Sequence, residues 1–203
     1  MIRSFLLVLA LLLAAPTLAP AQDLPALFRV TGVASNDVLN IRAEPRAQSP
    51  VVGAFGPMQT GIEVIALSDD GRWGLVRSQE GVGWSSMRYL QQTSVEPWTF
   101  GTTPLVCSGT EPFWTLTFFR PSNRVEYVAP DDSFEMRVDV ETPPTTLYPR
   151  TMGLPMSGAR KGFAVIRQGI CSDGMSDRLY GLEVQVYWQG PHSALSGCCM
   201  LQP

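Results

Sequence analysis

Histidine and lysine are almost missing from this chain: His192 and Lys161 are the only ones among 203 residues. A single histidine, together with four cysteines that form no C-x-x-C pairs, leaves no ligand set for zinc. A cysteine nucleophile would likewise have one candidate base, His192, in the turn-rich segment QGPHSALSG, where it reads as solvent-exposed. Positive charge is in short supply too. With Lys+Arg 15 against Asp+Glu 18, the net charge of -3 argues against a nucleic-acid partner, which requires a basic face. Helical periodicity is absent after the first twenty or so residues. No apolar run reaches the ~20 residues needed to span a bilayer, and the one from Phe5 to Ala15 is too short.

That apolar run is nevertheless informative. Arg3 precedes it, Pro16 breaks it, and Ala19-Pro20-Ala21 supplies the small-x-small pattern read by signal peptidase. Residues 1–21 are expected to be a signal peptide cleaved near Ala21-Gln22. The mature chain is then periplasmic or secreted and has no transmembrane segment. No cysteine follows the run, so a lipoprotein anchor is not expected. Loss of Arg3 leaves 14 basic against 18 acidic residues, a net charge of -4.

The cysteines, Cys107, Cys171, Cys198 and Cys199, all lie in the second half. In an exported protein an even count reads as two disulfides. Neighbours on an extended chain point to opposite faces, so Cys198 and Cys199 are expected to take separate distant partners. Those partners are Cys107 and Cys171, in an order the sequence leaves open. A bridge from Cys107 to the C-terminus closes a loop of about 90 residues, worth roughly 4 to 5 kcal/mol in the chain-entropy model.

Short alternating runs, punctuated by 18 glycines and 17 prolines, predict an all-β protein. The polar segment QQTSVEPWTFGTTP divides it. We place a first module at 27–91, a linker at 92–106 and a second module at 107–203. In the first, LFRVTGV, DVLNIRAEP, GIEVIAL, RWGLVRS and GVGWSSMRYL read as five strands, with Leu39 and Ile41 inward and Asn40 and Arg42 outward. These residues, above all Leu39-Asn40-Ile41-Arg42 with Pro45, Trp73, Gly83-Trp84 and Tyr89-Leu90, resemble a bacterial SH3 domain of exported cell-envelope proteins. The resemblance implies a five- to six-stranded barrel that serves as a cell-wall or peptide-binding accessory domain. Its candidate ligand-binding residues are Trp73, Trp84, Tyr89 and Arg42. Indoles combine apolar area with a hydrogen-bond donor, so both tryptophans suit a peptide groove. The competing reading puts them in the barrel core, and Trp84 fits that reading better than Trp73.

The second module alternates just as clearly. FWTLTFF places Trp114, Leu116 and Phe118 on one face. SFEMRVDVE turns Phe134, Met136, Val138 and Val140 inward, and GLEVQVYW does the same for Leu182, Val184, Val186 and Trp188. GFAVIRQGI reads as a short, more buried strand. Such alternation predicts an antiparallel sheet, wet on one face, that closes to remove its edges. The motifs GTEPFW, CSDGMSDRLY and GCC resemble a family of exported bacterial domains with no assigned activity. The Gly-x-Trp-like start is similar to that of lipocalin-like barrels, which implies a second, lipocalin-like antiparallel β-barrel stapled by disulfides. MSGARKG is similar to the Ser-Gly-Ala-Arg loop of periplasmic inhibitors of c-type lysozyme, although Lys161 follows Arg160 where that pattern has an aromatic.

CSDGMSDR carries the remaining chemistry. Asp173, Asp177 and Ser176 offer too few oxygens for calcium, which takes six to eight. We read the segment first as a turn and staple, with Asp173-Gly174 as the turn signal. Its second reading is a recognition loop formed by Asp173, Ser176, Asp177 and Arg178, because loops on rigid scaffolds carry function. No metal, cofactor or catalytic set is expected, and no enzyme activity. The partner expected is peptidoglycan or an envelope peptide or protein. Inhibition of a lysozyme-like wall hydrolase is one alternative. Wall hydrolysis is another, for which no nucleophile, base and orienting group assemble.

Overall fold

A computed structural model describes residues 23–79, 81–93, 96–141, 144–146 and 149–202. The expected signal peptide and its cleavage site lie outside these residues. Among the described residues no helix is long and apolar enough to cross a membrane.

Seven strands build the first module: β1 (Ala26–Val30), β2 (Leu39–Arg42), β3 (Val51–Phe55), β4 (Ile62–Leu67), β5 (Trp73–Arg77), β6 (Val82–Ser86) and β7 (Leu90–Gln92). They form one antiparallel sheet in the order β3-β2-β6-β5-β4-β1-β7. Phe55 from one edge strand and Leu90 from the other belong to the same buried cluster, together with Phe28, Ile41, Val64 and Val76. The sheet therefore curls around a single core, as an SH3-like fold requires. Leu39 and Ile41 point into that core and Asn40 and Arg42 away from it, as their alternation implies.

Two of the seven strands were not expected. β3 is mostly exposed and shows little inward alternation. β7 is three residues long and directly follows a 3-10 turn at Met87–Tyr89.

The second module is a closed barrel of β8 (Leu105–Thr110), β9 (Phe113–Phe119), β10 (Arg124–Ala129), β11 (Asp132–Val138), β12 (Thr151–Gly158), β13 (Gly162–Ser172), β14 (Leu179–Trp188) and β15 (Leu195–Leu201). Each strand pairs antiparallel with the next, and β15 pairs back onto β8. Eight strands leave an interior that side chains just fill. Leu116, Phe118, Val125, Met152, Leu154, Ile166 and Leu182 do so here, each almost fully buried.

Three details depart from expectation. Val140 was expected inside but is 74% exposed, because the pairing of β11 with β12 ends at Val138. Phe134 is only partly buried and joins Tyr127 and Trp188 in an aromatic cluster, its ring 4.6 Å from that of Tyr127. β13 is eleven residues long rather than short, and it is broken by a bulge between Gln168 and Cys171.

All four cysteines are bridged, as Cys107–Cys199 and Cys171–Cys198. Cys107 and Cys199 are cross-strand partners inside the barrel, whereas Cys171–Cys198 ties β13 to β15 across the intervening β14.

The modules are packed together. Leu27 of β1 and Trp98 of the linker segment both belong to the barrel's buried cluster. Arg120 holds the segment by donating to the carbonyls of Trp98 (2.6 Å) and Thr99 (2.8 Å), while also pairing with Glu141.

Candidate functional site

The first module carries a groove of about 570 Å3. Most of its lining comes from four places in the chain. β2 contributes Asn40 and Arg42, which alternation turns away from the core. The loop before β2 contributes Asp37 and Val38, β5 contributes Trp73, and the 3-10 turn contributes Arg88 and Tyr89. Trp73 stands opposite Ser86 at the end of the β5–β6 ladder.

The backbone around Trp73 is fixed by several bonds. Its N–H donates to Ser68 Oγ at 3.1 Å, and its carbonyl accepts from the Ser68 N–H at 2.9 Å. Ser68 in turn donates to Asp70, which also accepts from the backbone and side chain of Arg72. The Ser68 hydroxyl, then those Arg72 groups, hold the Asp70 carboxyl down at about 2. The indole is thus presented by a turn closed by these bonds, with Asp70 ionised at neutral pH.

Arg42 donates one guanidinium N–H to the carbonyl of buried Ser49 at 2.8 Å, which fixes its direction. The Arg88 guanidinium lies 5.5 Å from the centre of the Tyr89 ring. Tyr89 is anchored through its carbonyl, which accepts from the Thr31 N–H at 2.9 Å.

The groove therefore offers two aromatic rings, two guanidinium groups and one carboxylate within a single concavity. Rings of this kind cover methyl and methylene surface. Guanidinium groups bind carboxylates through charge-assisted bonds. The combination can cover apolar surface and bind carboxylate groups.

Of the sequence candidates, Arg42, Trp73 and Tyr89 meet here, and Trp84 does not line the groove. Trp84 pairs with Leu75 and with Arg42 in register, and it is half-buried on the sheet face turned away from the core. The core reading thus fails for both tryptophans, since neither belongs to the buried cluster. Asp37, Val38 and Arg88 were not singled out from the sequence, and Asn40 was read as outward-facing without being a ligand candidate. The outward phase of Asn40 with Arg42 was the one available signal, because loop and 3-10 residues follow no period.

The CSDGMSDR segment forms an ordered turn. Asp173 Oδ1 accepts from the N–H groups of Met175 (3.0 Å) and Ser176 (2.8 Å), and Oδ2 accepts from the Ser176 hydroxyl at 2.7 Å. The Ser176 and Met175 N–H groups, then that hydroxyl, hold the Asp173 carboxyl below the usual range. Gly174 has φ +73°, where a side chain would be strained. Arg178 reaches across to the Gln79 carbonyl of the first module at 3.3 Å, and Asp177 lies beside Gly81. Among the described residues no group of three or more His, Cys, Asp or Glu side chains is placed to hold a metal ion. His192 is exposed.

One further titratable group stands out. Glu63 of β4 is buried between the modules and accepts the Leu201 N–H at 2.9 Å. Its other carboxylate oxygen has no partner. Burial pushes its pKa up to about 7, against the opposing pull of the Leu201 N–H and the nearby Arg77.

No curated protein and no solved structure is matched by this chain. One family does appear: residues 37–91, which include β2 to β6 and the groove residues Arg42, Trp73 and Tyr89, match the bacterial SH3 domain.

Proposed function

We propose that the chain is an exported envelope-binding protein whose SH3-like groove holds a short peptide of the cell wall. Support for the class comes from the bacterial SH3 match, which is consistent with a cell-wall or envelope-binding module. Two disulfides are compatible with life outside the cytoplasm. The observation that carries the finer reading is the convergence of Arg42, Trp73, Arg88 and Tyr89 on one groove. Peptidoglycan stem peptides bring methyl groups for the rings and carboxylates for the guanidinium groups. Among the described residues, the lysozyme-inhibitor alternative finds its Arg160 paired with Asp132 and lying over Phe134 of its own barrel.

Titration with a soluble peptidoglycan stem peptide, free of glycan, tests the proposal. The wild-type chain is expected to bind saturably, and Trp73→Ala should lose at least tenfold in affinity while melting at an unchanged temperature. A folded Trp73→Ala protein that bound the peptide as tightly as wild type would contradict the groove assignment.

A further inference from the structure

The three sequence motifs of the second module are not used by the groove, yet they come together in space. Thr110 and Glu111 of GTEPFW, Cys171 to Asp173 of CSDGMSDR, and Ser196 and Gly197 before the paired cysteines line one open cleft of about 470 Å3. Thr110 Oγ1 joins two of the motifs by donating to the Asp173 carbonyl at 3.0 Å. A second open cleft of about 390 Å3 lies across the same strand. The two share Ser108, Gly109 and Thr110 as a common ridge, and both volumes lie in the range of ligand sites.

Their linings differ. The first is hydroxyl- and carboxylate-rich, with Ser108, Thr110, Ser196, Gln185, Glu111 and Glu183, and carries one exposed apolar side chain, Ile170. The second is apolar at its outer side, where Phe113 is 56% exposed beside Val128. Neither cleft is lined by a basic residue, so phosphate-bearing and other anionic ligands are disfavoured. The barrel is closed, and beside the first cleft only residues 109–110 and 195–197 fall outside the β8–β15 register, too short an edge for an extended peptide to join as a strand. What fits is a chain that donates hydroxyl hydrogen bonds on one side of the ridge and lays apolar surface against a ring on the other. Glu183 is ready to accept, because Arg167 engages only its Oε2.

We propose that this pair of clefts is a binding site for a neutral chain of N-acetylated amino sugars, whose acetamido methyl groups lie by Phe113 and whose hydroxyls face Glu111, Glu183 and Gln185. This site is separate from the groove on the first module and does not depend on it.

The test is calorimetric titration of the full chain with the β-1,4 tetramer of N-acetylglucosamine, with tryptophan fluorescence as a second readout. Trp114 reports on the site because Gly109 of the ridge packs against its indole. Saturable binding is expected, weakened at least tenfold by Phe113→Ala and by Ser196→Tyr, which fills the polar cleft from an exposed position. Trp73→Ala should bind the tetramer like wild type, which separates this site from the peptide groove. No saturable binding by folded wild-type protein would overturn the proposal. So would binding that survives both barrel variants, or binding that only Trp73→Ala removes. Binding restricted to the de-N-acetylated, amine-bearing tetramer would also overturn it, and would mark the cleft as a cation site.

Discussion

At the scale of single residues, Asp173 illustrates how a motif that looks like a metal site serves its own backbone. Both of its oxygens accept from groups within three residues, which closes the turn on itself. Because its pKa is depressed, the stability it contributes is present above the unfolded value near 3.8 and is lost as pH falls through the lower folded value. Asp173→Asn keeps an acceptor but loses the charge. It should cost about 1 kcal/mol, low for a charged hydrogen-bond group because the turn is solvated. The melting temperature at pH 7 should fall by ~2–4 °C. The gap between wild type and variant should narrow as pH falls below the ordinary value of 3.8. A gap that stays constant throughout the acid titration would contradict the ionic origin of the effect.

At the scale of elements, the strands that read clearly were those with one buried face. β2, β9 and β14 alternate as their sequences imply, because each covers a core with every second residue. β3 was missed because Val51 and Val52 are exposed on an edge strand, so no inward phase marks them. Val140 continued a perfect alternation into a segment where pairing had already stopped; periodicity records which face a residue would take, not where the ladder ends. The same distinction governs the site. Trp73, Tyr89 and Arg42 were legible as residue types with groove chemistry. Asp37 and Arg88 join them only through a loop and a 3-10 turn, whose geometry no spacing announces. The disulfide partners of Cys198 and Cys199 were open for a similar reason: opposite faces follow from adjacency, but which face meets Cys107 depends on the register of β15 against β8.

At the scale of the whole molecule, the two modules meet around Glu63, which no sequence pattern marked. It sits in β4 opposite Leu27 of β1 and takes its hydrogen bond from Leu201 in the barrel. Gly181 of β14 packs on Pro25 and Ile65, and Arg77 approaches Met200, so the junction is extensive. A carboxyl whose folded pKa is raised to about 7 contributes stability that is fully present below its ordinary value of 4.5. That contribution is lost as pH rises through about 7. Denaturant unfolding should therefore show a stability loss on the order of 2–3 kcal/mol between pH 5 and pH 8.5. Glu63→Gln should flatten the profile, because its carbonyl still accepts the Leu201 N–H and no charge is buried. An equal slope in the variant would place the titration elsewhere.

The central claim is that the SH3-like groove holds a wall peptide. The most direct measurement is a chemical-shift titration of the labelled full chain with a soluble peptidoglycan stem peptide bearing a free carboxyl terminus. The expected result is a saturable shift of the Trp73 indole N–H and of the Asn40 and Tyr89 backbone amides, reduced when the terminal carboxyl is amidated. Saturable shifts confined to the barrel, or no shift at the Trp73 indole with the peptide in excess, would contradict it.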